Sequence, residues 1–113
     1  MLDKKFSLFI KMGVKLVAKV KIYAVPEKYE QAVCFLKKHL AETAAYNGCE
    51  ACHAAGSTNN FEIIIYQEWD TAESYDKYLN WRKETGVMEE FETNYTKSPS
   101  VFERLEHIQL ETY

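Results

Sequence analysis

The sequence contains no long apolar stretch. No run approaches the roughly 18 apolar residues that a membrane-spanning helix needs, so we expect no membrane association. Only five uncharged residues lie between Lys5 and Lys11, too few for the apolar core of a signal peptide. We therefore predict a cytoplasmic protein with reduced thiols, and the odd number of three Cys also argues against a disulfide framework.

Internal repeats, low-complexity tracts and linkers are also missing from the 113 residues, which predicts a single domain. We expect that domain to cover residues 14–110, between an N-terminal extension (1–13) and a short tail (111–113). A hydrophobic content of 47% with 14% aromatic residues is typical of a folded chain. Aromatic residues at this density usually fill cores and line apolar pockets.

The net charge of −3 is small, but its distribution is uneven. Residues 1–21 carry six Lys and one Asp, for a net charge of +5, and the rest of the chain carries −8. These Lys residues stand singly among apolar residues, which is typical of the solvated face of a strand. We predict no nucleic-acid partner.

Hydrophobic periodicity predicts the elements of the first half of the chain. Strict alternation over 14–23 indicates a half-buried strand. Apolar residues spaced by three and four indicate a helix over 27–46, which Gly48 ends. Two further strands, 49–56 and 61–69, flank a turn and form a predicted hairpin.

The second half of the chain has the same kind of pattern. A helix is predicted over 71–85, followed by a short helical or irregular piece at 87–95 and a last strand over 100–113. The order βαββαβ predicts an α+β fold of the ferredoxin-like class, an antiparallel sheet with helices on one face. Because strand 61–69 is apolar on both faces, we expect a second copy of the chain to cover the other face, giving a homodimer.

Two segments resemble a known family. The strings NGCEAC and YQEWDTAESYDKYLNWRKETG are similar to those of antibiotic biosynthesis monooxygenase-type domains, and the resemblance covers residues 14–108. It implies a dimeric α+β barrel. It also implies an oxygenase that oxidises quinols or anthrones without a metal or organic cofactor. Of the site residues, the resemblance assigns a role only to Trp69 and Tyr75. Haem-degrading relatives use a His on the second helix, which has none here, so that activity is not expected.

The string Cys-x-x-Cys-His at Cys49, Cys52 and His53 is a candidate motif for metal binding or redox chemistry. A zinc site needs two more ligands, and a redox pair usually sits at a helix N-terminus, whereas this motif enters a strand. Residues three apart on a regular strand are also about 10 Å apart, too far for a disulfide. We interpret the two Cys as small structural thiols, with metal binding and redox chemistry as the alternatives.

Candidate site residues come from three segments. Trp69, Tyr75, Tyr78 and Tyr66 are predicted to bind the substrate, with a purely structural core as the alternative. His53 and His39 are candidate general bases, because imidazole titrates near neutrality. Arg82 is predicted to stabilise a phenolate or enolate, or else to form a surface ion pair.

These observations predict a homodimeric, cofactor-independent monooxygenase acting on a small aromatic, quinol or polyketide-like substrate. A His or Tyr deprotonates the substrate, and the resulting anion transfers electrons directly to O₂. The alternative is a non-catalytic dimeric domain that binds a small molecule in the same pocket.

Overall fold

A computed structural model describes residues 15–108. The predicted extension (1–13), Val14, and residues 109–113 of the predicted last strand and tail lie outside the described residues. The described chain forms β1 (Leu16–Tyr23), a 3₁₀ turn (Pro26–Lys28), α1 (Tyr29–Ala45), β2 (Cys49–Ser57), β3 (Glu62–Trp69), α2 (Ala72–Thr85), α3 (Val87–Tyr95) and β4 (Val101–Glu106).

The four strands form one antiparallel sheet in the order β2-β3-β1-β4. This order confirms the predicted ferredoxin-like α+β fold. The segment after Gly86 is a regular helix, α3, so the described residues contain three α-helices where the βαββαβ pattern has two.

Local sequence explains where the helices begin and end. Thr71 caps α2, since its hydroxyl accepts a hydrogen bond from the backbone N–H of Ser74 at 3.1 Å. Gly86 ends α2 in the left-handed conformation, with φ of 76°. Gly48 follows α1 with φ of 99°, and a Cβ there would lie 2.5 Å from the Cβ of Ser74. Only Gly fits that position.

The alternation of side chains gives the sheet two different faces. The covered face packs against the helices through residues such as Val20, Ile22, Ile63, Ile65 and Trp69, all buried. The open face has no layer above it in the described chain. There Ile64 and Tyr66 are 37% and 38% exposed, and Val101 and Leu105 are 46% and 49% exposed.

The core under the helices has two parts. An apolar cluster joins β1 and β3 to α1 and α3 through residues such as Ile22, Leu36 and Phe91. An aromatic cluster joins the other end of the same strands to α2 through Trp69, Tyr75 and Tyr78. None of the helices over residues 15–108 is long and apolar enough to cross a membrane.

An irregularity in β2 changes the geometry of the Cys motif. A register shift between Cys49 and Ala51 places Cys49 opposite Trp69 and Cys52 opposite Gln67, and both partners belong to the covered face. The two Cys therefore share one face at positions roughly 7 Å apart along the partner strand. The 10 Å separation expected from the sequence applies to a regular strand and not to this bulge.

Candidate functional site

A cavity opens between the helices and the covered face of the sheet. Its volume is about 90 Å³ and it is open to solvent at its mouth, so it is smaller than the roughly 300–1,000 Å³ of typical small-molecule sites. Its wall is mostly apolar. The polar side chains that line it are His39, Thr43, Gln67, Tyr75, Tyr78, Arg82, Glu92 and Ser100.

His39 on α1 forms a dyad with a carboxylate one helical turn further on. Its Nδ1 lies 2.7 Å from Oε1 of Glu42, and its ring packs against Phe35 with 4.3 Å between centroids. Since an ionised carboxylate only accepts, Nδ1–H is the donor and Nε2 carries the free lone pair. The ring thus lines the cavity in the tautomer that a general base needs.

The charge of Glu42 is favoured by its two neighbours. The hydrogen bond from His39 lowers the pKa of Glu42 below its usual value, and a hydrogen bond and the positive charge of Arg82 lower it further. Nη1 of Arg82 lies 3.3 Å from Oε1 of Glu42. An ionised carboxylate is the acceptor that the Nδ1–H of His39 needs.

Arg82 on α2 is 3% exposed and is held by protein groups. Its Nε donates to the hydroxyl of Tyr78 at 3.0 Å, and its Nη2 donates to Thr43 Oγ1 at 2.9 Å and to the backbone carbonyl of His39 at 2.5 Å. Together with the Glu42 contact these bonds occupy four of its five N–H groups. The guanidinium therefore links α2 to the His39 turn of α1.

Tyr78 and Thr43 complete this network. Their hydroxyl oxygens are 2.7 Å apart, and the hydroxyl of Thr43 also donates to the carbonyl of His39. Because Arg82 donates to both oxygens, Tyr78 must donate to Thr43 for every hydrogen to find an acceptor. The hydroxyl of Tyr78 is thereby occupied.

Tyr75 and Trp69 form the aromatic wall next to this network. Burial raises the pKa of Tyr75 to about 12, so its hydroxyl stays protonated near neutral pH. Trp69 is fully buried, lies behind Tyr78 with 4.9 Å between ring centroids, and is not part of the cavity lining. Its indole N–H donates to Oε1 of Gln67 at 2.9 Å.

The predicted site residues thus fall into three groups. The structure brings His39, Arg82, Tyr75 and Tyr78 together around one cavity. Trp69 supports that cavity from behind. His53 and Tyr66 are opposite each other on neighbouring strands, with both side chains on the open face of the sheet.

Five polar residues of the cavity and its network were not predicted as site residues from the sequence. Gln67 in β3 and Thr43 in α1 are polar residues in otherwise apolar rows, and Glu42 follows His39 by three helical positions, so these three carried a readable signal. Glu92 and Ser100 carried none. The carboxylate of Glu92 accepts from the hydroxyls of Ser100 and Thr96, contacts that join α3 to the segment leading into β4.

The Cys motif has the properties of protonated thiols. Burial raises the pKa of Cys49, and burial together with the charge of Cys49 raises the pKa of Cys52 to about 11. A thiol that resists ionisation is a poor nucleophile and a poor metal ligand. Among residues 15–108, no three His, Cys, Asp or Glu side chains are grouped closely enough to hold a metal ion.

The sequence matches no protein-family model and no curated protein. Solved structures of similar fold do exist. A protein from Deinococcus radiodurans described as a "putative antibiotic biosynthesis monooxygenase" is 13% identical, with a TM-score of 0.75 over 87% of this chain and 97% of that one. Another chain described as an antibiotic biosynthesis monooxygenase is 10% identical, with a TM-score of 0.73 over 83% of this chain and 99% of that one.

A third structure, from Nitrosomonas europaea, is described only as a protein of unknown function. It is 20% identical, with a TM-score of 0.73 over 90% of this chain and 97% of that one. At these identities the similarity establishes the fold of this chain, and the activity follows only from its own site.

Proposed function

We propose that this protein is a homodimeric oxygenase that needs no cofactor and oxidises a small aromatic quinol or anthrone with O₂. The observation that carries the proposal is the His39–Glu42 dyad on the wall of an apolar cavity. An apolar wall suits a flat aromatic substrate, and a carboxylate-supported imidazole suits the removal of one proton. The fold neighbours described as monooxygenases agree with this reaction class.

In the proposed reaction His39 Nε2 takes a proton from the substrate, and Glu42 stabilises the imidazolium that forms. The substrate anion gives one electron to O₂, and the two radicals combine into a peroxide. For an anthrone, the reacting CH₂ becomes a carbonyl that keeps one oxygen atom, and the other oxygen leaves as water. The substrate supplies all four electrons, and His39 returns its proton to the departing oxygen.

Arg82 takes a different part in this proposal from the one the sequence suggested. Four of its five N–H groups serve Tyr78, Glu42, Thr43 and the carbonyl of His39, so its main contribution is to position the dyad. Tyr75, which stays protonated, is a substrate contact and not a base. His53 remains a candidate base only for chemistry on the open face of the sheet.

The homodimer is part of the proposal. Ile64 and Tyr66 of β3 and Val101 and Leu105 of β4 lie on the open face and are between a third and a half exposed. Strand β1 runs between them and places Lys19 and Lys21 on the same face, so exposed apolar side chains stand beside charged ones. Exposed apolar side chains grouped in this way are characteristic of an interaction site. The same face of a second copy would cover it with matched chemistry.

The test is O₂ uptake by purified, metal-free protein with a panel of naphthohydroquinones and anthrones. Removing a general base costs roughly a hundred- to ten-thousandfold in rate, and we expect that loss for His39→Ala. His107→Ala, the same change at the end of β4, is the control and should keep full activity. Activity lost only in His53→Ala would move the base to the open face and contradict the proposal.

A non-catalytic binding domain is the second candidate. It is favoured by the hydrogen bonds of Arg82 to protein groups, because they leave little free positive charge facing the cavity. A quinol that raises the thermal unfolding temperature without any O₂ uptake would support this function over the oxygenase.

A further inference from the structure

Gln67 is a buried polar side chain on the covered face of β3. It is 4% exposed, it lies between Ile65 and Trp69 in the row of side chains that faces the helices, and it lines the cavity. A buried amide costs stability unless its groups are hydrogen-bonded. Its presence in an apolar row therefore needs a reason.

Trp69 fixes the orientation of this amide. An indole N–H can only donate, so the Gln67 atom 2.9 Å from Trp69 Nε1 must be the amide oxygen. The amide nitrogen then occupies the other branch of the side chain and carries two hydrogens. No group of residues 15–108 accepts a hydrogen bond from it.

The amide NH₂ must therefore be accessible from the cavity. Across the described part of the chain, no fully enclosed side-chain nitrogen or oxygen lacks a partner. An NH₂ group without a protein acceptor is consistent with that finding only if it reaches open space, and the cavity is the space that Gln67 lines. The result is a donor of fixed direction in a mostly apolar pocket.

We propose that the Gln67 NH₂ group, oriented by Trp69, binds the oxygen atom of an aromatic substrate and selects for phenols and enols that bind as oxyanions. The inference rests on the proposed function and deepens it. Gln67 is a substrate-binding residue, whereas Trp69 acts through it and is a positioning residue.

The chemistry of the cavity supports an oxyanion over a neutral hydroxyl. An amide NH₂ group is neither an acid nor a base near neutral pH. It therefore donates a hydrogen bond to an anion without giving it a proton. The other ionisable groups of the lining are His39, Tyr75, Tyr78, Arg82 and Glu92. Of these, Glu92 is occupied by Ser100 and Thr96, and Arg82 by the dyad network.

The probe is 4-nitrophenol, which this protein need not oxidise and whose phenolate is yellow while the phenol is colourless. Titration of the bound probe against pH measures its ionisation directly. We expect the bound probe to ionise about one pH unit below the free probe, because a hydrogen bond to a charged oxygen has roughly a tenfold effect on that equilibrium. In Gln67→Leu the lowering should disappear and the affinity for phenolate should fall roughly tenfold.

Gln31→Leu is the matched control, since Gln31 is an exposed residue of α1 away from the cavity. It should bind and ionise the probe as the unmodified protein does. The proposal is overturned if Gln67→Leu binds phenolate as tightly as the unmodified protein, or if the unmodified protein binds no 4-nitrophenol at millimolar concentration.

Trp69→Phe tests the positioning role. It keeps an aromatic ring and removes the N–H, so the amide is free to turn and the shift of the probe should shrink by about half. In a Gln67→Leu background the same change should have no further effect on the probe. A merely structural Trp69 would weaken binding equally in both backgrounds, and if Trp69→Phe does not fold, the Gln67→Leu titration decides alone.

The two proposals fail in different ways. If no quinol supports O₂ uptake but Gln67→Leu abolishes the phenolate shift, the oxygenase is wrong and the oxyanion site stands. If quinols are oxidised with the same kcat/KM by Gln67→Leu, the oxygenase stands and the role of Gln67 is wrong.

Discussion

Arg82 of α2 lies on the covered side of the sheet, where it is 3% exposed and makes four hydrogen bonds. Lys21 of β1 lies on the open face, where it is 38% exposed and has one ion pair, with Glu62 at 3.7 Å. Both are cations on regular elements. The difference lies in what surrounds them, since the helices exclude water on one face and nothing in the described chain does so on the other.

The two candidate bases differ in the same way. His39 has a carboxylate on one ring nitrogen and a cavity beside it, while His53 is exposed on the open face opposite Tyr66. An imidazole becomes a directed base when a fixed partner sets its tautomer. The contrast between the faces therefore separates a pre-organised polar site from a surface suited to another chain.

Replacing Arg82 should have the largest effect, a loss of folding stability that removes the difference between the two faces. In Arg82→Met the hydroxyls of Tyr78 and Thr43 and the carbonyl of His39 each lose the hydrogen bond that Arg82 donates. We expect the free energy of unfolding to fall by about 3 kcal/mol, since each bond to a charged group contributes roughly 1.5–3 kcal/mol and the losses overlap. Urea titration at a fixed protein concentration measures it.

Lys21→Met is the matched control for Arg82→Met, with both variants measured at a protein concentration at which the proposed dimer is dissociated. An exposed ion pair contributes about 0–1 kcal/mol, so this change should leave the unfolding midpoint nearly unaltered. Equal losses in the two variants would mean that burial does not distinguish the two faces.

A charge on the open face should break the proposed dimer. Ile64 pairs with Lys21 of β1 at the middle of this face, so Ile64→Lys would place a second cation there. We expect the dissociation constant of the dimer to rise at least roughly a hundredfold, about 2.7 kcal/mol. Sedimentation measures the assembly, and circular dichroism checks that each protomer keeps its fold.

Ile108→Lys provides the comparison for Ile64→Lys. Ile108 is 76% exposed and lies after β4, outside the four strands. The same substitution there should leave the assembly intact. A protein that is already monomeric by light scattering at low micromolar concentration would contradict the dimer.

The fold could be predicted from the sequence because its signals are local. Alternation over β1, the residues around Thr71 and the stop at Gly86 each depend on neighbours within a few positions. The bulge in β2 had no such signal. It depends on how β2 pairs with β3, and it changes which face Cys49 occupies.

The candidate site could be predicted from the sequence less completely than the fold. Tyr75, Tyr78 and Arg82 were found because they share one helix face next to a strand end. Whether Arg82 meets solvent, a substrate or Glu42 depends on the packing of α1 against α2, which joins residues 40 positions apart. The direction of the Gln67 amide likewise depends on a contact with Trp69, and only the structure shows it.

The smallest expected effect concerns the acid range. Because the pKa of Glu42 in the folded protein is below its ordinary value of 4.5, its contribution to stability is complete above that pH. The contribution is lost as the pH falls through the lowered value. The unfolding free energies of the unmodified protein and Glu42→Gln should therefore converge in acid, by a small amount because Glu42 is half exposed.

The cause of that convergence can be separated by a second substitution. The hydrogen bond from His39 is the largest influence on Glu42, ahead of Arg82. In a His39→Phe background the pH dependence of the Glu42→Gln difference should mostly disappear, as measured by urea unfolding between pH 3 and pH 6, roughly the range in which a carboxylate titrates. If that pH dependence persists unchanged, Arg82 and not His39 lowers the pKa of Glu42. The proposed His39–Glu42 dyad would then be contradicted.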